Sequence, residues 1–204
     1  DTLNGQTVAG STGGTVTPVT SVPSQIEGIV LGANQHSTDN NFGELRGGSI
    51  SGRVFKDNND DGQVDPDETG IPDVEVVLTG SDDLGNPVNV TVTTDKEGKY
   101  RFDGLRPDTY TVTEPVQPPE TSNGKTIPGS SGGTATPRET TPSAISTIVL
   151  GPGVESTDNN FGEIPYISSI SGRVWLDANN NGVVDADEEG IANITVRLSG
   201  TDVT

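Results

Sequence analysis

The sequence predicts an all-β protein made of tandem small sandwiches, and three observations predict it. The chain repeats itself: Ser49-Ile50-Ser51-Gly52-Arg53-Val54 returns as Ser169-Ile170-Ser171-Gly172-Arg173-Val174, 120 positions later. Short apolar runs alternate with polar residues between turn signals, and no stretch keeps a 3.6-residue apolar period over three turns. Each copy of the repeat also holds the same acidic loop, Asp57 to Glu68 in the first and Asp177 to Glu188 in the second.

Composition points the same way. Of 204 residues only 28% are apolar and 4% aromatic, so any core is thin and small domains suit the chain better than one large globule. Cys is absent, which removes disulfides and thiolate metal sites. Acidic residues number 30 against 11 basic ones, a formal charge of −19 that repels nucleic acid and anionic membrane surfaces. No apolar run approaches the roughly 20 residues that span a bilayer, so direct membrane insertion is not expected. With neither an initiator Met nor a sorting segment, the sequence reads as a window of a longer chain or a processed product.

The repeat fixes the phase. Upstream blocks recur at an offset of 119: Gly13-Gly14-Thr15 as Gly132-Gly133-Thr134, Ile29-Val30-Leu31-Gly32 as Ile148-Val149-Leu150-Gly151, and Ser37 to Glu44 as Ser156 to Glu163. One residue is inserted near Tyr166. Residues 1–48 therefore read as the tail of one unit, 49–168 as a whole unit (core 49–114, extension 115–168), and 169–204 as the head of the next.

Within the whole unit, Ile50 and Val54 share one face of a first strand. Val74, Val76 and Leu78 alternate with Glu75 and Val77 in a second, and the other copy supports that register with Ile194, Val196 and Leu198 inward and Thr195 and Arg197 outward. Val88, Val90 and Val92 give a third strand. A turn at Asp95-Lys96-Glu97-Gly98 leads into a fourth with Tyr100 and Phe102, and Gly104 to Asp108 turns the chain into a fifth with Tyr110 and Val112. Pro115 to Pro142, rich in Pro, Ser, Thr and Gly, reads as an extended loop. Ile145 to Leu150 and Asn160 to Ile164 supply two final strands.

The acidic loop carries the chemistry. Oxygen-bearing residues fall at positions 1, 3, 5, 9 and 12, Gly at 6 and Val at 8, which is the spacing of an EF-hand calcium loop. Asp57, Asn59 and Asp61 would supply single oxygens, Gln63 its main-chain carbonyl, Asp65 a direct or water-bridged contact and Glu68 a bidentate carboxylate. The second set is Asp177, Asn179, Asn181, Val183, Asp185 and Glu188. Exchange of Gln63 for Val183 is neutral because only the main chain serves there, whereas Asn181 in place of Asp61 removes a charge and should weaken the second site. The flanks are strands, so opening of a helix pair is not available and the expected Ca2+ is structural.

At this point the chain resembles a known family. Ser49 to Phe55, the acidic loop, Gly70-Ile71-Pro72-Asp73-Val74-Glu75-Val76, Thr94 to Phe102 and Leu105 to Glu114 are similar, in order, to the SdrD B-like repeat, a relative of the collagen-adhesin B domain. The resemblance covers 49–114 closely and returns at 169–200. It implies Greek-key sandwiches (Ig-like or prealbumin-like), rigidified by calcium and repeated as the stalk of a bacterial surface or secreted protein. It also raises a Lys–Asn isopeptide cross-link, with Glu114 as the promoting acid and Asn160 on the last strand. Lys56 is the one lysine nearby and Leu176 stands at its counterpart, which weighs against the bond.

The function expected is therefore a structural repeat of an extracellular stalk or fibre, not an enzyme. The single His, His36, has Glu155 at its counterpart, and no Ser lies in a nucleophile elbow. Expected partners are neighbouring repeats, with strand exchange between adjacent subunits of a filament left open, and the distal ligand is unknown. The alternative is a glycan- or matrix-binding sandwich. An aromatic platform of Trp175 and its counterpart Phe55 exposed beside a groove would favour that alternative; burial of Trp175 would favour the spacer.

Overall fold

The computed structural model describes residues 2–138, 140–166 and 169–200; expectations for Ile167, Ser168 and 201–204 lie outside the described residues. The chain divides at Pro165/Tyr166 into two compact units, taken separately here. Among the described residues there is no helix, and the fold is all-β.

In the first unit, the tail of the preceding repeat supplies β1 (Thr2–Val8), β2 (Thr15–Val16), β3 (Ile26–Glu27) and β4 (Asn41–Arg46). The whole repeat follows with β5 (Gly48–Lys56), β6 (Glu75–Ser81), β7 (Pro87–Thr93), β8 (Lys99–Leu105) and β9 (Asp108–Glu114). Its extension adds β10 (Thr121–Ile127), β11 (Thr134–Ala135), β12 (Ser143–Leu150), β13 (Glu155–Ser156) and β14 (Asn160–Pro165). One sheet runs β10–β14–β5–β13 with β8 on the opposite edge of β5; the other runs β11–β12–β9–β6–β7.

The two sheets meet over the alternating apolar positions. Ile50, Val54, Val76, Leu78, Tyr110, Val112, Ile145, Ile148, Leu150 and Phe161 are each no more than 2% exposed. Inward residues at a two-residue period are what a half-buried strand requires. Val90 on β7 is exposed, because β7 is an edge strand with one neighbour.

The extension closes its own sandwich. β12 pairs antiparallel with β9, and β14 pairs parallel with β5, placing Phe161 opposite Val54 and Glu163 opposite Lys56. The crossing is tight: a Cβ on Gly52 would lie 1.8 Å from the carbonyl oxygen of Asn159. Asn159 is fully buried, its amide N–H bonds Ser51 O at 3.1 Å, and its carbonyl accepts the Tyr100 hydroxyl at 2.5 Å. The Arg53 amide donates to Asn160 Oδ1 at 2.9 Å.

Two expectations are corrected. Pro115 to Pro142 is not one loop, because β10 and β11 lie inside it. β10 reads Thr-Ser-Asn-Gly-Lys-Thr-Ile, with no apolar alternation to announce it; it is a sheet-edge strand held by main-chain pairing to β14. In the second unit, the positions expected to continue as a strand at Ile194, Val196 and Leu198 form none among the described residues, and all three are exposed. The reason is partnership. Residues 169–200 repeat only β5, the loop and β6, and in the whole repeat β5 and β6 lie in different sheets.

The tail tells the same story. β1 and β4 pair in the register of β10 and β14, Thr7 opposite Phe42 where Thr126 faces Phe161, with the same irregularity two residues earlier. Phe42 is nevertheless exposed while Phe161 is buried. Phe161→Ala should lower the unfolding free energy by about 3–5 kcal/mol, the cost of emptying a buried aromatic site. Phe42→Ala should cost less than about 1 kcal/mol, and parallel urea titrations of the two variants check the contrast.

Candidate metal centre

Each acidic loop folds around its own first and last carboxylates. In the whole repeat, Asp57 Oδ1 accepts the Asp61 N–H at 3.1 Å and Oδ2 accepts the Gly62 N–H at 2.9 Å. Glu68 Oε1 accepts the Asn58 N–H at 2.8 Å and Oε2 accepts the Asp65 N–H at 3.1 Å. Between these anchors, Asn59 Oδ1 takes the Asp61 N–H and Asp61 Oδ1 the Gln63 N–H, two successive Asx turns that bend the chain inward. Gly62 has φ 80°, which a side chain would strain.

The second loop repeats the set. Asp177 accepts from Asn181 and Gly182 at 3.0 and 2.8 Å, and Glu188 accepts from Ala178 and Asp185 at 2.9 and 3.1 Å. Asn179 and Asn181 again form the Asx turns, to Asn181 and Val183. The loop bases match too: Phe55 bridges Gly70, and Trp175 bridges Gly190. Local hydrogen bonding alone therefore sets this conformation, since the second unit lacks the sandwich.

Electrostatically, the first loop is unbalanced. Asp57 is fully buried and Glu68 is 6% exposed. Among the described residues, no Lys or Arg forms an ion pair with Asp57, Asp61, Asp65 or Glu68. Main-chain N–H groups hold Asp57, Asp61 and Glu68 and the Asn59 amide holds Asp65, leaving lone pairs available to a cation. No trio of His, Asp or Glu side chains converges as a ready-made metal cluster among the described residues. The donor set here is mixed: Asp57, Asp61, Asp65 and Glu68 carboxylates, the Asn59 amide and main chain. Oxygen donors of this kind suit a hard divalent cation. The second loop differs in one contact, Asn181 Nδ2 donating to Asp185 Oδ2 at 3.0 Å, which uses an oxygen that is not so engaged by Asp61 in the first.

Beside the first loop lies a buried acid pair that sequence reasoning missed. The Asp57 N–H bonds Glu163 O at 2.8 Å, and the Glu163 side chain faces Glu114 across the sandwich end. Glu114 is 2% and Glu163 1% exposed. Neither oxygen of Glu114 meets an N–H or hydroxyl donor, while Glu163 accepts from Gln117. Burial, and then the nearby Glu163 carboxyl, push the Glu114 carboxyl far above its ordinary range; burial likewise raises Glu163 against the hydrogen bond from Gln117. Two carboxyls this close and this buried titrate as a coupled pair, with the protonated form favoured. Thus the Glu114 considered for an isopeptide bond has a second acid as its neighbour. The available signal was Glu163 itself, the one charged residue in the final strand.

The pair makes a pH prediction. In the unfolded chain both acids ionise near 4.5, whereas the folded pair retains protons above that pH. Its contribution is fully present below the unfolded value and is lost as pH rises toward the raised folded values. Glu114→Gln should remove the Glu114 share of that loss and leave that of Glu163, so its melting temperature should change less than wild type between pH 5 and pH 8; thermal melts at the two pH values check this.

Comparison with known proteins places the chain. The SdrD B-like domain model matches residues 48–162. Serine-aspartate repeat-containing protein D of Staphylococcus aureus strain Newman is 32% identical over 171 residues, covering 84% of this chain and 12% of that protein. Serine-aspartate repeat-containing protein E of strain MSSA476 is 32% identical over 169 residues, covering 83% of this chain and 14% of that protein. The chain thus spans about an eighth of the length of the curated relatives it matches. The major plantain pollen allergen matches with a TM-score of 0.34 at 13% identity, over 62% of this chain and 99% of that one. With the family model covering more than half of its residues, the chain belongs to the SdrD B-like domain family.

Proposed function

We propose that this chain is a run of calcium-stabilised structural repeats, a segment of the rigid stalk or fibre of an extracellular bacterial surface protein of adhesin type. The observation that carries this reading is the duplicated loop: two copies, one inside a sandwich and one outside it, fold onto the same anchoring carboxylates by the same bonds. Ca2+ would be held by Asp57, Asn59, Asp61, Asp65 and Glu68 with the Gln63 main chain, and by Asp177, Asn179, Asn181, Asp185 and Glu188 with that of Val183. The ion supplies charge neutralisation and crosslinks the end of β5 to the start of β6. The family of the chain and its relatives in a bacterium support the surface location.

Catalysis forms no part of this reading. The acids are committed to the loops, to the buried pair or to exposed turns, and the loop flanks are strands. The glycan-binding alternative also loses ground. Phe55, half of the suggested aromatic platform, is fully buried, and Trp175 is half-buried with its Nε1 sealed from solvent. The partners are neighbouring repeats. Pairing of β12 with β9 and of β14 with β5 inside one repeat supports units that close on themselves over strand exchange between subunits.

Thermal melts with calcium and with excess chelator, alongside calorimetric titration with calcium, test the proposal. The expected result is a large rise in melting temperature with calcium, one ion bound per loop, and the weaker affinity assigned to the 177–188 loop by its Asn181. Identical melts with no heat of binding would make the loops ordinary turns.

A further inference from the structure

Tandem copies create a matching problem. Residues 1–48 and 120–165 are two versions of the same extension, and both carry an Asn-Asn-Phe-Gly-Glu strand, of which the second, β14, pairs with β5. Main-chain register cannot tell one from the other. A wrong pairing between neighbours is a characteristic failure of repeat proteins.

Two cationic residues of the extension reach the acidic loop. Arg138, just after β11, places Nη1 2.6 Å from Asp60 Oδ2. Asp60 is held at φ 55°, and its other oxygen is sealed from solvent with no hydrogen-bond partner. Lys125, on β10, lays its stem over Gly62, its Cδ 3.1 Å from the point where a Cβ would stand. In the other tail, the counterparts of Arg138 and Lys125 are Val19 and Gln6, both uncharged. In the other loop, Asp60 and Asp61 become Asn180 and Asn181, the two loop carboxylates lost between copies.

We propose that Arg138 and Lys125 are specificity-determining residues that match an extension to the loop of its own repeat. A charged loop accepts the extension bearing cations. An extension of the Val19/Gln6 kind laid on it takes away the Oδ2 partner of Asp60, whose Oδ1 is already sealed and unpaired. A partly buried carboxylate is then left with no cation, which costs more than the pair gains. The half-exposed Arg138 adds little attraction by itself; rejection of the mismatch supplies the selectivity. A neutral loop of the Asn180/Asn181 kind, which belongs to the following repeat, imposes no such charge demand on an extension.

A four-protein cycle on the full chain tests this in excess chelator, so that failure of the calcium reading leaves it untouched. The proteins are wild type, K125Q/R138V, D60N/D61N and the quadruple variant. Hydrogen exchange at the β10 and β14 amides reads the opening of the extension. K125Q/R138V should raise the opening constant about tenfold in the charged loop and less than about threefold in the D60N/D61N background, with the first effect shrinking at about 1 M salt. Equal effects in both backgrounds, no effect in either, or salt independence would each overturn the proposal.

Discussion

Everything in the repeat depends on how closely β14 can approach β5. The carbonyl of Asn159 passes so near Gly52 that no other residue fits there, and that contact sets the register of the final strand. From it follow the burial of Phe161 against the core, the seating of Tyr100 under the crossing, and the anchorage of Asp57 on the Glu163 carbonyl. Gly172, its counterpart, has open space around it among the described residues. Glycine at this position is thus a requirement of assembly across the repeat and not of local turn geometry.

A chain with this excess of acid must decide where its carboxylates go, and three answers coexist within one end of the sandwich. Asp57 and Glu68 are wrapped by main-chain N–H groups. Glu114 and Glu163 are buried side by side, and burial raises both carboxyls so that the pair holds protons above the ordinary carboxylate range. Asp60 is met by an arginine from the extension. The loop, the last strand and the extension are electrostatically one neighbourhood, even though they are separated by about a hundred residues of sequence.

Legibility followed the range of the forces involved. Ile50, Val54, Val76, Leu78, Tyr110 and Val112 were readable because alternation records which face is buried, and all six are core. The loops were readable because their conformation is encoded by neighbours two to ten positions apart, and the second copy repeats the same bonds. β10 was not readable: its polar side chains say nothing about a partner forty residues away. Glu163 and Arg138 were missed for the same reason, since a buried acid and an exposed-looking arginine acquire meaning only from residues brought to them by the fold. The strand expected through Ile194 and Leu198 shows the converse, a correct apolar pattern with nothing alongside to pair with.

The parallel pairing of β5 with β14 has one more consequence. β5 opens the repeat and β14 closes it, so tension along the chain enters at Gly48 and leaves at Pro165. Two parallel strands pulled from opposite ends are loaded in shear. The hydrogen bonds joining Phe161, Gly162 and Glu163 to Val54, Phe55 and Lys56 then resist together instead of parting one at a time, and the acidic loop hangs from the end of that clamp.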